Sequence, residues 1–334
     1  MKVLVTGGAG YIGSTTCFAL TDAGHEVVIL DSLVNGKEEY TKGFSFYRGD
    51  IADKEVIDII FKDHPDIECC LHFAALIVIP ESVANPYKYY RENVLKSLEL
   101  FKILDDKGCK KIVFSSSASI YDLVENFKVD EDAPKRPINP YSRSKYMMEM
   151  VLEDMAKATD IKGIALRYFN PIGADTKMRT GPYDPAPSHV LGKMVNVALG
   201  EEEIFRITGT DYATRDGSGI RDYVHVWDLA RAHVLAAEKY DDIFAEIDEQ
   251  YIPINLGTGD GVTVFELVDA FEQVWGEEIN KENAPARPGD TAGAYANCAR
   301  AEKLLGWKAE LSVKQGIEDA LKWTNRYRKQ KLGY

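Results

Sequence analysis

Apolar positions in the first 170 residues fall into two alternating patterns. Short runs at residues 2–6, 27–30, 44–47, 69–73, 111–115 and 163–168 are rich in branched, aromatic or otherwise apolar side chains, and Gly7, Asp31 and Ser116 follow three of them directly. Such runs read as strands. Between them, apolar residues recur every three or four positions. Residues 14–23 read as a helix that ends before Gly24. A second helix starts after Asp53, a suitable cap, and runs to Lys62 with Ile57, Ile60 and Phe61 at helical spacing. A third spans 87–106, carrying Tyr90, Val94, Leu98, Phe101 and Leu104, and a fourth spans 141–158. Regular alternation of strand and helix implies an α/β fold, a doubly wound parallel sheet covered by helices on both faces.

Past residue 170 the pattern changes. Residues 171–188 hold Pro171, Pro182, Pro185 and Pro187 together with Gly173 and Gly181. A loop of this length inside a folded unit usually carries function. Helices are expected near 190–199, 228–239, 264–275 and 313–327, with strands near 204–207 and 252–255. The expected division is a nucleotide-binding unit over residues 1–170 and a smaller α/β substrate unit over 171–334. Strands from about 224–258 are expected to return to the first sheet.

The turn after the first strand carries the first chemistry. Thr6-Gly7-Gly8-Ala9-Gly10-Tyr11-Ile12-Gly13 places glycines at 7, 10 and 13. Gly7 permits a tight turn, Gly10 lets the backbone approach a pyrophosphate, and Gly13 lets helix and strand pack closely. The following helix start offers free amides to an anion. Asp31 ends the second strand, 18 residues past Gly13, where a carboxylate can hold a ribose diol. It would repel a 2′-phosphate, so the loop reads as a Rossmann site for NAD and not NADP. Asp50, after the third strand, is placed to meet the adenine.

A second constellation follows Pro140. Tyr141 and Lys145 stand four apart on one face of a helix start. A tyrosine titrates near 10 unless perturbed, and a neighbouring ammonium together with a positive nicotinamide ring is expected to bring it towards neutrality. Ser117, in the run Ser115-Ser116-Ser117, is placed to hydrogen-bond a reacting hydroxyl. This is the equipment of proton transfer coupled to a nicotinamide.

Composition narrows the setting. With 334 residues, about two domains are expected, and 45% hydrophobic content is enough to fill their cores. The net charge of −13, with no basic run, argues against nucleic-acid binding. No apolar stretch is long enough to span a membrane, and the apolar run at the N-terminus is too short for a signal peptide. Cys17, Cys69, Cys70, Cys109 and Cys298 follow no metal-ligand spacing and suit reduced thiols in a cytoplasmic protein. His72, His225 and His233 show no ligand spacing either, so no metal is expected.

These residues together resemble the extended short-chain dehydrogenase/reductase superfamily and, within it, the UDP-glucose 4-epimerase family. Leu166-Arg167-Tyr168-Phe169-Asn170-Pro171-Ile172-Gly173 and Arg221-Asp222-Tyr223-Val224-His225-Val226 resemble that family's sugar-nucleotide segments. Pro80-Glu81-Ser82, Asn93 and Arg287-Pro288-Gly289-Asp290 fall in the expected order, and the likeness runs from Lys2 to about Trp307. It implies reversible inversion at carbon 4 of a UDP-hexose through a transient 4-keto sugar, with NAD retained. Gly7, Gly10, Tyr11, Ile12, Gly13, Asp31, Asn35, Asp50, Ile51, Phe73, Ala74, Asn93, Tyr141, Lys145 and Tyr168 would line the NAD site. Ser117, Tyr141 and Lys145 would be catalytic. Ser117, Asn170, His189, Arg221, Arg287, Asp290 and Ala294 would meet the UDP-sugar. A small residue at 294, where a bulky tyrosine restricts some relatives to glucose and galactose, implies room for N-acetylhexosamines. The resemblance also implies a homodimer through the helices around 89–104 and 141–155.

The chain departs from the family's pattern in places. Ile77 stands where lysine is common, which implies weaker hold on NAD. Asp122 replaces a usual glycine, Thr208 a frequent aromatic, and Ser188-His189 a frequent Asn-Asn pair. A 4,6-dehydratase would carry an Asp-Glu pair beside its active-site hydroxyl, whereas Ala118-Ser119 follow Ser117 here. A 4-epimerase of a UDP-uronic acid or UDP-pentose remains an alternative, as does a non-catalytic NAD-binding protein.

Overall fold

The computed structural model describes residues 1–184, 187, 189–286 and 291–332. In chain order the first part holds β1 (Lys2–Thr6), α1 (Tyr11–Asp22), β2 (Glu26–Asp31), β3 (Ser45–Arg48), α2 (Lys54–Asp63), β4 (Ile67–His72), α3 (Ile79–Ala84), α4 (Pro86–Tyr89), α5 (Lys96–Asp106), β5 (Lys111–Ser115), β6 (Lys128–Val129), α6 (Pro140–Ala158) and β7 (Lys162–Tyr168). Then come β8 (Asn170–Ile172), α7 (Val190–Ala198), β9 (Phe205–Thr208), β10 (Ile220–Arg221), β11 (Tyr223–His225), α8 (Val226–Glu238), α9 (Tyr240–Glu246) and β12 (Tyr251–Leu256). The remainder is β13 (Val262–Thr263), α10 (Val264–Trp275), β14 (Lys281–Ala284), β15 (Gly293–Ala296), α11 (Ala299–Leu305) and α12 (Val313–Leu332).

Seven strands form one parallel sheet in the order β12-β7-β5-β4-β1-β2-β3. The period of two decides which helix covers which face. Val3 and Val5 of β1, with Leu71 of β4 and Leu166 of β7, pack against Cys17 and Leu20 of α1 and Leu229 of α8. Leu4, Cys70, Phe114 and Ala165 face the other way, against Ile60 of α2, Phe101 of α5 and Leu152 of α6. Each such fully buried aliphatic side chain stabilises the fold by about 1.5–3 kcal/mol. Both faces are apolar, which is why these strands carry nearly unbroken apolar runs.

β12 closes one edge of this sheet, whereas β11 pairs with β8 in a separate ribbon. A four-stranded sheet of order β13-β10-β15-β6 and the pair β14-β9 complete the strands. Met194 of α7, Phe271 of α10 and Ile317 of α12 share a third core.

Several boundaries differ from the sequence reading for local reasons. α1 begins at Tyr11, three residues before position 14, because Gly10 serves as its cap and accepts from Ser14 N at 2.9 Å. The helix expected over 87–106 is three pieces, α4, a π-helical segment over Tyr90–Leu95, and α5. The wider π turn inserts a residue and turns Asn93 inwards, where it is buried. α9 and α11 were not expected as separate helices. No described helix is long and apolar enough to cross a membrane.

Candidate active site

The glycine loop lies where β1 meets α1. Gly7 has φ +73°, and a Cβ there would sit 2.6 Å from Ala74 N. A Cβ on Gly13 would sit 2.2 Å from Gly7 O, so loop and helix can approach this closely only without one. α1 has no side-chain cap, which leaves its first amides available to an anion. Tyr11 donates to Gly173 O at 2.6 Å, and Ile12 is half-buried beside it.

Asp31 is held in place at the end of β2. Its two carboxylate oxygens accept from Ala9 N at 3.0 Å and Leu33 N at 2.8 Å. Burial pushes its pKa up and these two amides oppose the rise. Asn35 is exposed on the loop that follows. Asp50 accepts from Ala52 N and from Lys96 Nζ, and Ile51 beside it is buried. Phe73 packs against the His233 ring at 4.6 Å, and Ala74 faces Gly7. Asn93 grips Leu76 with both ends of its amide, accepting from Leu76 N at 2.8 Å and donating to Leu76 O at 2.9 Å. An uncapped helix start, two closed-off glycine positions and a fixed carboxylate at the second strand end fit a dinucleotide with a free ribose diol.

Ser117, Tyr141 and Lys145 come together where β5 ends and α6 begins. Asn139 caps α6, accepting from Ser142 N at 2.9 Å, and Pro140 occupies its first turn, so Tyr141 is presented at a rigid helix start. Burial pushes the Tyr141 phenol up, and a hydrogen bond with Ser117 works against it. Lys145 turns to the backbone, donating to Ser115 O at 2.8 Å with its Nζ 5.1 Å from the Phe114 ring centre. Its own pKa is lowered to about 7, because burial disfavours the ammonium more than Glu149 supports it. The expected lowering of Tyr141 by Lys145 is therefore not what the protein groups alone produce: desolvation dominates at both residues. Tyr168 shares a short hydrogen bond with Ser115 Oγ.

Further along, β10 and β15 lie parallel with Arg221 opposite Ala294. The Arg221 guanidinium is held by three backbone oxygens, of Ile220, Thr291 and Ala292. Among the described residues it has no carboxylate partner. Ala294 packs against the cluster of Ile120, Tyr121 and Val129. Asn170 starts β8 and donates its backbone amide to Asp222 O. His189 caps α7, accepting from Gly192 N at 3.1 Å, and its hydrogen bonds do not reach Asn170 or Arg221. Arg287 and Asp290 lie outside the described residues.

The sequence reading missed three supports. Gly293, at φ +115°, leaves no room for a side chain: a Cβ would lie 1.8 Å from Ile220 O and 1.9 Å from an Arg221 terminal nitrogen. On α6, Glu149 accepts from Arg167, Ser116 and Tyr251, and Arg167 also reaches Tyr121 and Glu131 O. Asp222 accepts from Thr258, Gly259 and Ala296 amides. For the second, a glutamate four residues after Lys145 and Arg167 in the segment 166–173 were available signals; Asp222 lay in the quoted segment 221–226 without its role being read, and nothing local marked Gly293.

Known proteins resemble this chain in sequence and fold. A UDP-glucose 4-epimerase of Bacillus subtilis (strain 168) is 42% identical, over 97% of this chain and 96% of its own. The crystal structure of a UDP-glucose 4-epimerase from Stenotrophomonas maltophila, with bound NAD and formylated UDP-arabinopyranose, superposes with a TM-score of 0.93 at 38% identity, covering 99% of each chain. That from Bifidobacterium longum, in complex with NAD+ and UDP, has a TM-score of 0.90 at 36% identity, covering 98% of this chain and 99% of its own. The NAD dependent epimerase/dehydratase family model matches residues 3–251, which run from the first strand through the glycine loop, Ser117 and the Tyr141–Lys145 pair to the start of β12. With most of the chain matched, and the same wound sheet beneath it, this protein belongs to the NAD-dependent epimerase/dehydratase family.

Proposed function

We propose that the chain interconverts UDP-glucose and UDP-galactose by inverting carbon 4 of the sugar, with NAD as a retained cofactor. The observation that carries this reading is the meeting of Ser117, Tyr141 and Lys145 where β5 ends and α6 begins, with Arg221 given no carboxylate partner among the described residues. Relatives aligned over nearly the whole chain are 4-epimerases, and two similar structures hold NAD.

The loop at residues 7–13, Asp31 and Asp50 would hold the cofactor's pyrophosphate, ribose and adenine. Bound NAD supplies a reversible two-electron oxidation and, through its positive ring, a field that favours a tyrosinate. Tyr141 removes the proton of the 4-hydroxyl and later returns one. Ser117 orients that hydroxyl. Lys145, held by Ser115 O beside the start of α6, stabilises charge there. Arg221, with Asn170 and His189, anchors UDP while the 4-keto sugar turns. Arg287 and Asp290 belong to the same anchor in this reading.

Ala294 favours a wider substrate range, since a methyl group beside Arg221 leaves space for an acetamido substituent. Two further proposals concern the whole protein. α5, α6 and the π segment turn Leu95, Leu98, Met147 and Met150 outwards, at 56%, 38%, 37% and 42% exposure, and we place the interface of a homodimer there. Five cysteines without disulfides suit the cytoplasm.

The test is Tyr141→Phe, assayed by proton NMR of the sugar's anomeric signal. Turnover should fall at least about 100-fold, the lower range for a positioned acid–base group, with nucleotide binding kept. A near-normal rate would falsify the assignment.

A further inference from the structure

Asn93 is buried on the π segment, and both hydrogens of its side-chain amide are committed. Its Nδ2 donates to Leu76 O at 2.9 Å and to Ser144 Oγ at 3.0 Å, while its Oδ1 accepts from Leu76 N. Ser144, fully buried on α6, gives its own hydrogen to Tyr141 O at 2.7 Å. Each direction is fixed, because an amide nitrogen only donates and a carbonyl oxygen only accepts. A helical serine that bonds a carbonyl one turn back is ordinary. The donor that holds this serine, 51 positions away on another element, is not local.

The other side of Asn93 leads to the glycine loop. Leu76 ends the stretch Phe73-Ala74-Ala75-Leu76, and Ala74 N is the atom that a Cβ on Gly7 would strike. The Asn93 backbone carbonyl accepts from Ser97 Oγ at 2.7 Å. That spends the one hydrogen of Ser97, so the His72 ring, 2.8 Å away, donates to it from Nε2. Burial lowers the His72 pKa to about 3, so the ring is neutral. Its Nδ1 is then an acceptor, 2.6 Å from Thr6 Oγ1. Thr6 is the last residue of β1, directly before Gly7. Thr6, His72 and Ser97 are all buried.

We propose that Ser144 is a positioning residue for Tyr141, and that its hydrogen bond from Asn93 sets the turn carrying Tyr141 against the segments that carry the glycine loop. The proposal rests on the reading above, in which Tyr141 takes the proton and the glycine loop holds NAD. In that reaction one sugar carbon must lie against the nicotinamide while its hydroxyl lies against the phenol. The gap between cofactor and tyrosine then decides the rate, and a small misplacement is costly. The π turn makes the bridge possible, because its inserted residue turns Asn93 inwards. In the same reading UDP is anchored by Arg221, which lies on a different sheet. Loss of the bridge therefore slows the reaction without loosening the nucleotide.

The experiment measures kcat and KM for UDP-galactose in the NAD-loaded wild type, Ser144→Ala, Asn93→Ala, the double variant and Tyr141→Phe. Ser144→Ala should lower kcat about three- to tenfold, which is one hydrogen bond's worth of barrier. Its KM should stay within about twofold. Ser144 acts only through Asn93 in this proposal, so the double variant should match Asn93→Ala within about twofold. A serine that merely stabilised its own helix would instead multiply the two losses. Alanine keeps good helix propensity at position 144, so Ser144→Ala decides the matter even where Asn93→Ala folds poorly: an unchanged kcat overturns the proposal. Multiplied losses in the double variant overturn it too, and with Tyr141→Phe inactive the site reading stands. Full turnover in Tyr141→Phe overturns both.

Discussion

Lys145 shows how one buried residue sets a pH dependence. Its pKa falls from 10.5 in the unfolded chain to about 7 in the fold. Below about pH 7 both states carry the proton, and the folded state bears the whole cost of burying it. Between the two values the unfolded chain binds more protons, so stability rises with pH. The cofactor-free protein should therefore have a higher urea midpoint at about pH 9.5 than at about pH 7, and Lys145→Met should lose most of that gain. Equal gains in both would assign the rise to other groups. Ala294 carries the second prediction at this scale. Ala294→Tyr should cut turnover of UDP-N-acetylgalactosamine tenfold or more, because overpacking costs about 1–3 kcal/mol. UDP-galactose turnover should change little, and equal losses on both sugars would refute a selective gate. The glycines at 7, 10 and 13 and the pair Tyr141–Lys145 were legible because their meaning lies in short spacings. Gly293 was not, because its constraint comes from Ile220 and Arg221, more than seventy positions earlier.

Among elements, strand and helix identities were legible wherever a face is apolar, because burial imposes the period. The π segment was not, since one inserted residue barely disturbs a helical repeat. Its purpose appears only with Leu76 in place, whose backbone Asn93 holds at both ends. The contact between α6 and β7 was equally hidden. Glu149 and Arg167 are 3% and 4% exposed at the side chain and meet at 2.6 Å. Tyr251 on β12 joins them, so one buried pair locks α6 to β7 and to the edge strand β12. Arg167→Met strands the carboxylate and should destabilise by about 3–5 kcal/mol. Adding Glu149→Leu should recover much of the loss, as the chemical denaturation midpoints of the two variants would reveal. A double variant as unstable as the single would mean that packing, not charge, is what Arg167 contributes.

At the scale of the molecule, the outward apolar side chains of α5 and α6 bear on assembly. Light scattering should give twice the chain mass for the wild type, and Leu98→Glu should give a monomer, since a charge in an apolar interface must be desolvated. A monomeric wild type would remove the proposed interface. The paired strands β10 and β15 carry a different consequence. Arg221 and Ala294 are register partners on β10 and β15. In the proposed reading, one strand grips what every UDP-sugar has in common, and its neighbour meets what sets them apart. Recognition is thereby split into a constant part and a variable part, each on its own backbone. A lineage can change its sugar by altering a single side chain on β15, while its inherited hold on the nucleotide passes through the change untouched.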